Sequence, residues 1–156
     1  MATPPAPFRL SHFGLCVSDL DRSLRFYGKG LGFDVAERYE LDSEAMPGLD
    51  RALEVGERVV VTSQFIRLGH LGIELLHYTT PIATGVPSSS RGHLGLSHLA
   101  FHVDDVEASV AHLVECGGTV LESTRAELGV PLVFLHDPDG VRIELMQLPA
   151  RPTREG

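Results

Sequence analysis

The sequence predicts an α+β fold built from two tandem β-α-β-β-β modules, and three observations carry that reading. The chain repeats: shifted by 86 residues, Ser11 aligns with Ser97, His12 with His98, Val17 with Val103, Asp19 with Asp105, Ser23 with Ser109 and Gly32 with Gly118. Self-similarity of this kind points to an internal duplication. Within each copy, an alternation of period two gives way to an apolar stripe of helical period. Near the end of the second copy, Asp137-Pro138-Asp139-Gly140 joins a proline that presets φ to a glycine that accepts a positive one, so the flanking strands form a hairpin.

The elements follow in order. A strand over residues 10–17 turns Phe13, Leu15 and Val17 to one face, and residues 96–103 do the same with Leu99, Phe101 and Val103. A helix comes next in each copy. Ser18 with Asp21, and Asp104 with Glu107, resemble capping boxes; Leu20, Leu24, Tyr27 and Leu31, then Val106, Val110, Leu113 and Val114, supply the stripes. Gly28, Gly30 and Gly32 stop the first helix, and Gly117 and Gly118 the second. Three strands complete each copy, over residues 34–39, 59–68 and 72–78 and over residues 119–122, 131–136 and 141–148. The expected plan is a flexible tail at 1–7, a first module at 8–80, a Ser/Pro/Gly-rich linker at 81–95, a second module at 96–149 and a tail at 150–156.

At 156 residues and 43% hydrophobic, the chain has material for one compact core. Thirteen Lys+Arg against 21 Asp+Glu, with no basic cluster, argue against a nucleic-acid partner. No apolar run suits a membrane span, and the opening residues lack the pattern of a secretory signal, so the expected address is the cytoplasm. Two cysteines give no disulfide framework.

Each copy ends on an Ile-Glu-Leu segment, around Glu74 and around Glu144. Alternation sets each glutamate on the face opposite Ile73 and Leu75, or Ile143 and Leu145, and sets His12 and His98 opposite their own apolar stripes. Two imidazoles and two carboxylates on one face need a common partner. A divalent metal satisfies all four, whereas an unpaired carboxylate there costs several kcal/mol. His12, Glu74, His98 and Glu144 are therefore the candidate ligands.

With its duplicated β-α-β-β-β unit, a histidine heading each first strand, the IEL segments and the DPDG turn, the chain resembles the vicinal oxygen chelate superfamily from about Phe8 to Leu148. That group includes glyoxalase I, methylmalonyl-CoA epimerase, extradiol dioxygenases and bleomycin-resistance proteins. The resemblance implies a curved mixed sheet around a central metal cavity, with helices on the convex face. It implies one divalent ion, Ni, Co, Fe, Mn or Zn, bound to adjacent oxygens of a small-molecule substrate and stabilising an enediolate. It also implies a homodimer. Glu144, and less directly Glu74, would carry the proton between carbons.

Among the branches, Glu74 argues against a dioxygenase, whose pattern leaves that position without a ligand. A glyoxalase-like lyase or isomerase leads. The alternatives are a methylmalonyl-CoA epimerase-like enzyme and a non-enzymatic small-molecule, antibiotic-binding protein. The epimerase pattern adds a glutamate on the third strand, where this chain has Ser63, or Gln64 after a one-residue slip; Glu54 and Glu57 are loop substitutes. Cys16, Phe65, Arg67, His102, Arg142 and Met146 are the candidate substrate-pocket residues. Arg142 reads either as a contact for an anionic substrate or as a side chain orienting Glu144. The first copy carries about 16 extra residues, mostly within 41–58, which read as a lid or as a short helix patching an edge.

Overall fold

The computed structural model describes residues 8–149; the tails expected at 1–7 and 150–156 lie outside the described residues. The elements run β1 (Phe13–Cys16), α1 (Leu20–Leu24) continuing into a π-helical segment (Arg25–Gly30), β2 (Asp34–Asp42), α2 (Leu49–Ala52), β3 (Val60–Leu68) and β4 (Leu71–Thr80). The second copy gives β5 (Leu99–Val103), α3 (Val106–Glu115), β6 (Thr119–Glu127), β7 (Pro131–His136) and β8 (Arg142–Gln147). They form two four-stranded mixed sheets, ordered β1-β4-β3-β2 and β5-β8-β7-β6, and neither closes into a barrel. In each, the first strand pairs parallel with the last and the other pairings are antiparallel. Among the described residues no helix is long and apolar enough to cross a membrane.

Contacts divide the chain into two units. One holds β1 to β4 and α2. The other holds β5 to β8, α3 and also residues 18–32, so α1 packs in the unit of the second sheet although its sequence belongs to the first copy.

Within the second unit this packing has a polar centre. The Tyr27 hydroxyl donates to Asp137 Oδ2 at 2.8 Å, and Asp137 Oδ1 accepts the amides of Asp139 (2.9 Å) and Val141 (2.7 Å). The aspartate that heads the DPDG turn is thus spent inside it, 3% exposed, while Asp139 accepts the Ser18 amide (3.0 Å) and hydroxyl (2.5 Å). Burial pushes the Asp137 carboxyl above its ordinary value, opposed by the Tyr27 hydroxyl and the turn amides. Burial, then the Asp137 charge, pushes the Tyr27 phenol well above its own.

Local departures from the sequence reading have simple causes. Both helices are capped one residue later than expected. Asp19 and Asp105 adopt extended backbone and accept the amides of Arg22 (3.0 Å) and Ala108 (2.9 Å), whereas the Ser18 hydroxyl is taken by Asp139. The stripe of the first helix is broader than periodicity gave. The Leu31 amide reaches back five residues to the Phe26 carbonyl at 2.9 Å, and the adjacent Phe26 and Tyr27 are both fully buried. β1 and β5 begin at Phe13 and Leu99, so His12 and His98 lie just ahead of their strands.

In the first unit, Ile66, Ile73 and Leu75 are fully buried, each burial contributing roughly 1.5–3 kcal/mol. The Gln64 side chain, 2% exposed, donates to the carbonyls of Ala36 and Glu37 (3.2 Å each), where β2 shifts register. Gly72 lets the segment ahead of β1 run against β4, because a Cβ there would lie 2.7 Å from the Ser11 carbonyl oxygen. Residues 43–58 contain the short α2, closed at their base by Arg58 on Asp42 (2.9 Å) and Glu44 (3.1 Å).

Tyr27→Phe should cost about 1–3 kcal/mol at pH 7 by urea denaturation, because Asp137 Oδ2 loses its buried donor. The unfolded chain releases the Tyr27 proton near the ordinary value of about 10 and the folded chain only higher. Wild-type stability should therefore fall as pH rises past that value, and the variant should lack that part of the slope. Gly72→Ala should destabilise by about 1–3 kcal/mol, read as a lowered Tm, since the backbone of residue 11 must move.

Candidate functional site

The site follows from two strands that are apolar on one side only. In β4, Ile73 and Leu75 turn into the core and Glu74 emerges opposite Phe65 of β3; in β8, Ile143 and Leu145 turn in and Glu144 emerges opposite Phe134 of β7. The histidine ahead of each first strand meets this glutamate. His12 Nε2 lies 3.1 Å from Glu74 Oε2, and His98 Nε2 lies 3.1 Å from Glu144 Oε2. The neighbouring serine holds the other ring nitrogen, Ser11 Oγ at 2.9 Å from His12 Nδ1 and Ser97 Oγ at 2.8 Å from His98 Nδ1. Each imidazole also stands edge-on to the phenylalanine facing its glutamate, His12 to Phe65 at 5.1 Å and His98 to Phe134 at 5.6 Å.

The two units thus make the same arrangement independently, and it suits a metal ion in one measurable respect. Two donor atoms each about 2.1 Å from a shared ion, at a right angle, stand about 3.0 Å apart. Each His–Glu pair has that separation, with Nε2 and a carboxylate oxygen as the facing atoms. The four candidate ligands come together as two pairs, each inside one unit. Among the described residues no group of three or more His, Cys, Asp or Glu side chains is gathered closely enough to hold a metal.

The pairs differ in their surroundings. Ser63, 1% exposed, donates its hydroxyl to Glu74 Oε1 at 2.5 Å. It faces the site, while Gln64 faces the core, so β3 has no one-residue slip here. The corresponding position in β7 is Leu132, opposite Met146 as Ser63 is opposite Leu76, and it offers Glu144 no donor. Two residues before the glutamates, Gly72 matches Arg142. The Arg142 guanidinium lies 3.6 Å over the Phe134 ring, and its Nε is buried without a hydrogen-bond partner. Burial lowers the Arg142 guanidinium from its ordinary value, Arg91 adds to this and Glu144 opposes it.

Of the other pocket candidates, Phe65 lies directly across from Glu74, and Met146 shares the strand face of Glu144. Cys16 is in register with Leu76 and His102 with Met146, which puts each on the glutamate face of its sheet. Arg67 shares the Glu74 face but is ion-paired with Glu37 at 3.1 Å. Phe134, Ser63 in its bonded role and Tyr78 were not anticipated. Phe134 was legible: a hairpin turning on residues 137–140 sets 134 against 144. Tyr78 follows from alternation with Glu74, and burial raises its phenol, with Cys16 and Glu74 adding. The Ser63 bond had no sequence signal, because it depends on the pairing of β3 with β4.

Comparison with known proteins agrees with this architecture. Methylmalonyl-CoA epimerase, mitochondrial, from Bos taurus is 33% identical over 147 residues, covering 89% of this chain and 74% of that protein. A probable lactoylglutathione lyase from Synechocystis sp. is 30% identical, covering 88% and 94%. A solved glyoxalase family protein from Bacillus cereus shares the fold at a TM-score of 0.78 with 20% identity, over 94% of this chain and 98% of that one. Residues 9–145 match one family profile, and the chain belongs to the Glyoxalase/Bleomycin resistance protein/Dioxygenase superfamily.

Proposed function

We propose that the protein is a divalent-metal-dependent enzyme of the glyoxalase type that moves a proton on a carbon beside the carbonyl of a small 2-oxo or thioester substrate. The observation that carries this reading is the pair of matching 3.1 Å His–Glu contacts, each braced by a serine and a phenylalanine. The proposed ligands are His12, Glu74, His98 and Glu144, all nitrogen or oxygen donors of the kind that first-row divalent ions and zinc accept. Such an ion, when bound, supplies Lewis acidity to neighbouring substrate oxygens.

The chain's own groups divide the remaining work. Ser11 and Ser97 fix the imidazoles with Nε2 toward the carboxylates. Ser63 holds Glu74 by Oε1, so that Oε2 is the oxygen turned toward His12 Nε2. Among the described residues Glu144 has no comparable tether, which favours it as the base that removes the proton and returns it. Return to the adjacent carbon gives isomerisation; delivery of a proton to the other face of the same carbon by a second donor, with Glu144 keeping the one it removed, gives epimerisation. The relatives named as a lyase and as an epimerase support a reading that spans both outcomes.

Metal analysis of protein purified without chelator should find stoichiometric divalent ion, and chelation should abolish turnover reversibly. An absence of stoichiometric metal would favour a non-enzymatic binding protein. Methylglyoxal hemithioacetal and methylmalonyl-CoA are the substrates to assay, and turnover of neither by metal-loaded protein would remove both named activities. Glu144→Gln should lower kcat by about 10²–10⁴. Ser63→Ala should weaken metal affinity about 10–100-fold, measured by competition with a chromophoric chelator, and Ser63→Thr should restore most of it.

A further inference from the structure

Arg142 is unlike the other arginines whose contacts are defined. Arg38, Arg58, Arg67 and Arg125 are each ion-paired with carboxylates, and Arg22 and Arg25 donate to the carbonyls of Pro138 and Glu115. Arg142 has no ion pair among the described residues, not even with Glu144 two positions away, although the chain carries 21 Asp+Glu against 13 Lys+Arg. Its place is nevertheless built. The guanidinium stacks 3.6 Å over Phe134, whose ring also meets His98 at 5.6 Å, so one phenylalanine carries both the cation and a proposed metal ligand.

A second positive charge reinforces this. Arg91 is held by its own hydrogen bonds to the carbonyls of Ser89 (3.0 Å) and Ser88 (3.3 Å), and its charge acts on Arg142. A guanidinium Nε that is buried with no acceptor is unfavourable unless a ligand supplies one, and the added charge of Arg91 favours an anion in that role. The matching position in the first unit is Gly72, where a side chain would collide with the backbone, so the cation belongs to the second copy alone.

We propose that Arg142 is a specificity-determining side chain that binds a carboxylate of the substrate close to the carbon deprotonated by Glu144. The substrate class is then a carboxylate-bearing acyl or 2-oxo compound. A planar guanidinium matches a carboxylate in two parallel hydrogen bonds, which a lysine at this position would not reproduce. This assignment rests on the proton-transfer reading above for its functional meaning, but the binding it describes does not require the metal.

The test is calorimetric titration of the metal-free full-length chain with malonate and with malonamide, which share a skeleton and differ in charge. Malonate should bind at least tenfold tighter than malonamide. Arg142→Gln should reduce malonate to the malonamide level, Arg142→Lys should retain part of the preference, and Arg91→Gln should lose less than Arg142→Gln. Circular dichroism and Tm of each variant establish that the fold is kept. Malonate binding no tighter than malonamide, or a preference undiminished in Arg142→Gln, overturns the proposal. Repeating the comparison on metal-loaded protein keeps the two readings apart: failed metal uptake with an Arg142-dependent preference counts against the proposed enzyme, and normal uptake without that preference counts against the anion site.

Discussion

A strand buried on one face cannot hide a glutamate on that face, and everything at the candidate site descends from that constraint. Ile73 and Leu75, like Ile143 and Leu145, occupy the core, so Glu74 and Glu144 must stand on the other side of their sheets. Once there, only 19% and 14% of their side-chain surface remains exposed. A carboxylate so far withdrawn from water needs compensation, and the imidazole ahead of the first strand stands 3.1 Å away in both units. The parallel pairing of first and last strands is what makes this meeting local to each sheet, since β1 lies beside β4 and β5 beside β8.

The two copies carry matching pairs set in unequal surroundings. Ser63 tethers Glu74, while the matching position beside Glu144 is Leu132. Gly72 is required by the close approach of the Ser11 carbonyl, while Arg142 stacks on Phe134. Among the described residues the first pair has a carboxylate tethered by Ser63 and the second has an arginine stacked beside its carboxylate. Membership of the superfamily accounts for the shared frame of both copies.

The second unit carries its own structural constraint. The DPDG turn reads as a hairpin signal, yet its first aspartate is also the receptor for Tyr27 and its second for Ser18. Residues 18–32 are therefore held in the unit of the second sheet by the turn that orders the strand bearing Glu144. Glu144 lies on the strand that leaves that turn, so the placement of the candidate base and the packing of α1 share one polar cluster.

The sequence by itself determined the elements whose signal is short in range. The two-residue period of the IEL strands, the repeat that matched His12 to His98, and the turn chemistry of residues 137–140 depend on neighbours in the chain. So the fold class could be read from them, whereas the sequence reading gathered all four candidate ligands and did not separate them into pairs. The first helix cap slipped by one residue because Ser18 had a partner 121 positions away in Asp139, while the same shift from Asp104 to Asp105 in the second helix has no such partner to explain it. The paired burial of Phe26 and Tyr27 escaped because a π turn replaces the regular helical period that the stripe assumed. Only the tertiary structure decided that α1 packs in the second unit, that Ser63 rather than Gln64 faces Glu74, and that Arg142 stands stacked on Phe134 with no ion pair among the described residues. Those outcomes rest on strand pairing and on contacts between distant segments, whose energies a local pattern does not contain.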